Sequence, residues 1–501
     1  MVDKWLASLP LLTDSRGTRP TDFQQLLNES LNSAMQLSAK GDDISAWLGL
    51  KRLASVTETA HPGRLAANQY AAAAFLSACL FIHQETDALL EKMRSHFCEQ
   101  EHPIAAKYWF VKGLSLNLRH HWLDAIPCLQ LSYEHVEKCS PREIKKWFPC
   151  DRHDDLLANR QLNLSDCWIN LGWQTEGKER SECIKSARKH LARAATYHLN
   201  PVSSFLYQLN TIETEILEGN LEEAREHIQY LNQKQTVTSP RAARLRPGLF
   251  YMHARLSLQE QNTSAMITHL SQALAESSRF PDPMQELMVV DFSLSLMESA
   301  SIERKRMEPF FEAMVVMLEA KDWYTGRDHS RSVAEFSLKL WQQWQSGSQS
   351  PEFLEDLYWA GYLHDVGKLR LSRSLLNKIA PLSEEEWELL RLHPGYAQSI
   401  LDRFGFKQIA IWVGEHHQDA CGTGYPGKLA ASPVGMCIAV ADYLEASTSA
   451  NRKYRRPKTF TEAIHELKTN FHDRYPEKLL KSAEIVGKQS IHHDISGIFK
   501  T

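Results

Sequence analysis

Gly361-Tyr-Leu-His364-Asp365-Val-Gly-Lys368 sets two metal-ligand residue types side by side, with a lysine three positions on. Working outward, His393, the pair His416-His417 and Asp442 follow at wide intervals, and His329 lies upstream. A neutral imidazole offers one nitrogen lone pair, and a carboxylate can bridge two cations through its two oxygens. Five histidines and two aspartates within little more than a hundred residues exceed what one metal ion needs and suit a dinuclear site. On a helix, consecutive residues point about 100° apart. His364 and Asp365 could then serve neighbouring ions, with Asp365 as the bridge.

The rest of the composition is that of an ordinary soluble protein. The chain has 501 residues, 43% of them hydrophobic and 24% charged, which predicts a packed core and more than one domain. A net charge of -4 argues against a general binder of nucleic acid or of membrane surfaces. No apolar run approaches the roughly 20 residues of a membrane span. The first ten residues lack the basic start and apolar core of a signal peptide. Nine cysteines without CxxC spacing fit reduced thiols in a cytoplasmic protein.

The first three hundred residues read as helix, with apolar residues recurring at three and four. Polar turns are expected near Gly41-Asp42, Gln84-Glu85, His120-His121, Thr175–Lys178, Glu218-Gly219-Asn220 and Gln261-Asn262. Several of these gaps are about forty residues, the size of one helical hairpin of an α-solenoid. Small residues follow two of the turns, at Ala224 and Ala265. The segment resembles diverged tetratricopeptide-like repeats, which implies a concave surface for protein partners. His120-His121 and His153-Asp154-Asp155 lack a companion cluster and read as solvated turn residues.

From about Met307 the pattern changes. Phe310, Phe311, Met314, Val315 and Leu318 mark an amphipathic helix that leads to His329-Ser-Arg-Ser-Val333. Then come His364-Asp365-Val-Gly-Lys368, Ser383-Glu-Glu-Glu-Trp387, His393-Pro394-Gly395, His416-His417, Gly422-Thr-Gly424-Tyr425-Pro426, Ile438-Ala-Val-Ala-Asp442 and Arg452-Lys-Tyr454-Arg455. In that order these elements resemble the HD-GYP branch of the HD phosphohydrolases. The expected fold is therefore all-α: a helical repeat domain over residues 1–304, an all-helical HD-GYP domain over 305–470, and a C-terminal tail over 471–501.

The resemblance implies a function as well. It assigns His329, His364, Asp365, His393, His416, His417 and Asp442 as ligands of two divalent ions. Imidazoles and carboxylates without cysteine suit iron or manganese better than structural zinc. Two such ions about 3.5–4 Å apart could share a hydroxide that attacks phosphorus. Lys368 would stabilise growing phosphate charge, with Asp365 as the bridge. Gly424, Tyr425, Pro426 and Arg452 would meet the substrate. That substrate is implied to be a cyclic dinucleotide, cyclic di-GMP first, cut to pGpG and onward to GMP. The family also allows another cyclic dinucleotide, a non-catalytic receptor or scaffold, and a homodimer. Thr325 stands where trinuclear relatives carry a glutamate, which favours two ions over three. Gln418 and Cys421 stand where the family usually has carboxylates.

Overall fold

A computed structural model describes residues 43–60, 63–148, 151–233, 244–277, 283–299, 308–323, 328–345, 347–427, 429–449, 456–471 and 473–492. The expected fold class holds: the described residues are helices and loops, without a strand. The chain divides into two compact units, residues 1–293 and 294–501. That division lies eleven residues before the boundary expected from sequence.

In the first unit consecutive helices pack as pairs. His102–Leu118 lies against Trp122–Glu137, His153–Trp173 against Gly177–Ala194, and Arg246–Gln259 against Thr263–Ser277. The expected turns at His120-His121, Thr175, Gly219 and Gln261 separate helices. Ala224, Leu270 and Ala273 are fully buried where helices approach. Gln84-Glu85 instead falls in the first turn of the helix His83–Arg94, and the chain turns just before it, at Phe81 in the left-handed region. Glu85 suits that first turn because a carboxylate there faces the positive end of the helix. Gly41-Asp42 lies outside the described residues.

The second unit is built around the helix His329–Trp344. It packs against Pro351–Leu363, Pro433–Thr448 and Glu477–His492. Val333, Leu340, Leu357, Val440 and Leu444 are fully buried between these elements. Serine caps start the helices at Ser350, Ser383 and Ser432, each hydroxyl accepting a backbone N–H three residues on.

The segment read as a tail is part of this unit. Leu479, Leu480, Ala483 and Val486 form the buried stripe of the helix Glu477–His492. That i, i+1, i+4, i+7 spacing is the apolar face of an amphipathic helix. A Cβ on Gly487 would lie 1.9 Å from Phe460, so this helix and Phe460–Asn470 meet closely.

Candidate metal centre

The helix Pro351–Leu363 ends at His364, and a 3₁₀ helix, Val366–Arg370, begins directly after Asp365. The pair therefore sits at a junction rather than along one helix. His329 opens its own helix, His393 opens His393–Arg403, and His416-His417 follow the end of Lys407–Gly414. Asp442 lies inside Pro433–Thr448. Each side chain comes from a helix end or from a helix facing those ends.

These seven residues converge in two groups. The first is His329, His364 and Asp365, and the second is His393, His416 and His417, each with its donor atoms within 4.8 Å of one another. Asp365 joins them. Its Oδ2 lies 3.5 Å from His364 Nε2 and 3.8 Å from His329 Nε2. Its Oδ1 lies 3.4 Å from His393 Nε2 and 4.0 Å from His416 Nε2. Asp442 Oδ1 belongs with the first group, 3.4 Å from His329 Nε2 and 3.7 Å from His364 Nε2. His364 is completely buried and Asp365 is 4% exposed.

In four of the five histidines the other ring nitrogen is anchored. His364 Nδ1 donates to the Gly361 carbonyl at 2.8 Å, His393 Nδ1 to Leu390 at 2.8 Å and His416 Nδ1 to Val413 at 2.6 Å. Each acceptor is the carbonyl three residues earlier. A proton fixed on Nδ1 leaves the Nε2 lone pair facing the centre, the tautomer that a metal-binding imidazole needs. His329 uses a carboxylate instead: its Nδ1 is hydrogen-bonded to Glu445 Oε2.

Glu445 was missed in the sequence. The available signal is its place three residues after Asp442, on the same face of that helix. Glu445→Ala is expected to weaken metal binding about 10- to 100-fold, as the loss of such supporting partners does. Titration with manganese or iron(II) checks this, and unchanged affinity would remove Glu445 from that role.

Burial sets the charge of the second group. It pushes His416 well below the ordinary histidine range, His393 down to about 3 and His417 down to about 4, so these rings stay neutral near pH 7. His364 behaves oppositely. Burial alone would lower it, but the facing carboxylates of Asp365 and Asp442 push it up to about 10. Asp365 and Asp442 are themselves held well below the usual carboxylate range: burial works against this, while Lys368 and His364 for Asp365, and His364 for Asp442, outweigh it.

In the metal-free protein, then, an imidazolium stands between two carboxylates. A cation that takes His364 Nε2 must expel its proton. Affinity should rise about tenfold per pH unit below that value and level off above it. Proton release on adding metal in weak buffer at pH 7 checks the sign, and proton uptake would contradict it.

Lys368 Nζ donates to Asp365 Oδ2 at 2.6 Å and to Asp322 Oδ2 at 3.2 Å. Asp322, directly after the helix Glu308–Lys321, was not singled out in the sequence. Above the second group, the Tyr425 ring stacks on His417 with centroids 4.6 Å apart and planes at 27°. Gly424 makes that approach possible, since a Cβ there would lie 2.0 Å from the His417 carbonyl oxygen. Pro426 is exposed beside it.

Asp419 holds this loop. Its Oδ1 accepts the N–H groups of Cys421 at 3.0 Å and Thr423 at 2.9 Å, and its Oδ2 pairs with the Thr423 hydroxyl. Gln418 donates to the Gly427 carbonyl at 2.7 Å, so it supports the loop without a carboxylate. Cys421 is exposed, with its thiol on the Asp473 carbonyl. Arg452 and Thr325 lie outside the described residues.

The HD domain family matches residues 317–479, a span holding both histidine groups and Asp365. Residues 317–479 are an HD domain. The chain is similar over part of its length to curated proteins of known bacteria. A 3'3'-cGAMP-specific phosphodiesterase 3 of Vibrio cholerae is 29% identical over 216 residues, covering 41% of this chain and 45% of that protein. A cyclic di-GMP phosphodiesterase of Pseudomonas aeruginosa is 30% identical over 220 residues, covering 43% of this chain and 52% of that protein. The chain thus spans about half the length of these relatives. Among solved structures, a HDG"Y"P protein from Bdellovibrio bacteriovorus matches with a TM-score of 0.28 and 18% identity, covering 46% of this chain and 72% of that one. So loose a superposition adds nothing to the assignment. No described helix is long and apolar enough to cross a membrane.

Proposed function

We propose that the HD domain is a phosphodiesterase for a cyclic dinucleotide, cyclic di-GMP in the first place, cutting it to linear pGpG and then to GMP. One observation carries this reading: each oxygen of the Asp365 carboxylate faces its own group of imidazoles. The inward Nε2 atoms, the anchored Nδ1 atoms and the shared carboxylate fit a pair of divalent cations. His329, His364, Asp365 and Asp442 would hold one, and His393, His416, His417 and Asp365 the other. An all-nitrogen-and-oxygen set suits iron or manganese. Such ions, when bound, supply Lewis acidity toward a phosphate and lower the pKa of water to near neutrality.

The chain's own residues do the rest. Asp322 and Asp365 hold the Lys368 ammonium at the rim, where it can meet a phosphate oxygen as negative charge grows. Tyr425, braced on His417, offers an aromatic face to a base, with Gly424 and Pro426 shaping that wall. Arg452 would add a phosphate contact. The repeat unit is assigned to a protein partner or sensory role, and the setting is cytoplasmic second-messenger turnover.

The relatives named for cyclic di-GMP and for 3'3'-cGAMP support the substrate class and make cGAMP the competing substrate. Equal amounts of the two, incubated with full-length protein and resolved by chromatography, separate the readings. Faster formation of pGpG from cyclic di-GMP is expected. Turnover of cGAMP alone would overturn the substrate, and product from neither would overturn the class. Lys368→Ala is expected to keep its metals and lower kcat by about a hundredfold. Unchanged kcat would remove the lysine from the mechanism.

A further inference from the structure

Tyr425, stacked on His417, is an aromatic surface beside the second histidine group. A second aromatic residue stands on the other side of Asp365. Lys368 Nζ meets Asp365 Oδ2, the oxygen that faces the first group, and is held as well by Asp322. The next residue is Trp323, and its side chain is 66% exposed. An indole left so open to water forfeits the burial that a large apolar ring usually gains.

The ring stands on a fixed backbone. The Trp323 N–H donates to Asn377 Oδ1 at 2.8 Å, and Asn377 Nδ2 donates to the carbonyls of Lys321 at 2.9 Å and Arg373 at 3.0 Å. Arg373 Nη1 donates to the Ala320 carbonyl at 2.6 Å. Lys321, fully buried, donates through Nζ to the Leu369 carbonyl at 2.8 Å, one residue after Lys368. Residues 320–323 are thereby tied both to the turn that carries Lys368 and to the segment around Asn377. Ile379, two residues beyond Asn377, is 87% exposed, so a second apolar side chain opens to solvent from the same anchored block. Exposed apolar surface on a rigid rim marks a place for a ligand rather than for the core.

The shape of a cyclic dinucleotide calls for such a surface. Each of its phosphodiesters joins two nucleosides, so a phosphate held between the two histidine groups has one base on either side. Tyr425 can stack on only one of them. Base–aromatic stacking accepts any base, because every base has a π face.

We propose that Trp323 is the stacking platform for the second base of the cyclic dinucleotide assigned above, with Tyr425 the platform for the first. The inference rests on that substrate class, and it makes Trp323 a binding residue that acts on affinity and not on the chemical step.

Full-length protein loaded with manganese tests it. KM and kcat are measured for cyclic di-GMP and for 3'3'-cGAMP, with Trp323→Ala, Trp323→Leu and Trp323→Phe beside the natural protein. All three variants keep the backbone N–H that anchors the turn, and changing so exposed a side chain costs little stability. Trp323→Ala is expected to raise KM at least about fivefold while kcat stays within about twofold and metal content is unchanged. Trp323→Phe should stay near the natural protein. Trp323→Leu, apolar but without a π face, should behave like the alanine variant. Unchanged KM in Trp323→Ala would overturn the proposal. So would a loss of metal or of kcat at unchanged KM, which marks a structural role, or a leucine variant that matches phenylalanine, which marks plain apolar contact. A natural protein that turns over neither compound would overturn the substrate class itself, and the platform with it.

Discussion

Asp365→Ala is expected to strip both metal positions at once, with turnover falling to background. Its Oδ1 and Oδ2 each face a different histidine group, a place no other carboxylate takes among the described residues. The substitution also deprives Lys368 of its 2.6 Å carboxylate partner and leaves it Asp322 at 3.2 Å. His364 loses one of the two carboxylates that hold its proton and keeps Asp442, so it gives up that proton more readily. The first unit should be untouched, because residues 1–293 form a compact unit of their own. Metal analysis together with far-UV circular dichroism reads both halves of this expectation. A variant that keeps one ion per chain would show that the groups bind independently. Loss of helicity throughout would contradict the two-unit division.

The second large effect is expected from a residue that touches no ligand. Gly367 lies in the 3₁₀ helix between Asp365 and Lys368, against the start of the His393 helix. A Cβ there would stand 1.9 Å from the His393 carbonyl oxygen and 2.5 Å from the Ala397 nitrogen. Both are backbone atoms, so no rotamer change relieves the clash. Gly367→Ala must push the Asp365–Lys368 turn away from His393, which separates the bridging carboxylate from the second group. A cost of about 3 kcal/mol is expected, on the order of 5–10 °C in the melting transition of the C-terminal unit. Metal should be lost from the second group first. A variant with natural melting and natural metal content would show that the turn can move without consequence.

The contrast between these two residues shows what was legible in the sequence. Asp365 announces itself by type and by its neighbour His364, and the other ligand residues follow in an order that a reader can match. The groups that orient them do not. Glu445 meets His329 across 116 positions, Asp322 meets Lys368 across 46, and His120 meets Asp291 across 171. Such pairings depend on how helices pack, which periodicity leaves open. His120, read as a solvated turn residue, is for that reason part of a cavity wall. The helix Glu477–His492 carries a readable apolar stripe, yet it follows the last family motif, so the motif order alone does not tie it to the domain. Asp419 lies between the two departures from the family pattern, Gln418 and Cys421, and its hold on the loop shows only once the chain is folded.

Metal content and turnover read from one sample decide whether the HD domain is a dinuclear phosphodiesterase. Full-length protein, purified without oxygen, is analysed for iron and manganese, and the same sample is given cyclic di-GMP while pGpG is followed by chromatography. Two ions per chain are expected, with pGpG formation that disappears when the ions are removed and returns when they are restored. Turnover that persists in the stripped protein, or a fully loaded protein that leaves every cyclic dinucleotide intact, would contradict it.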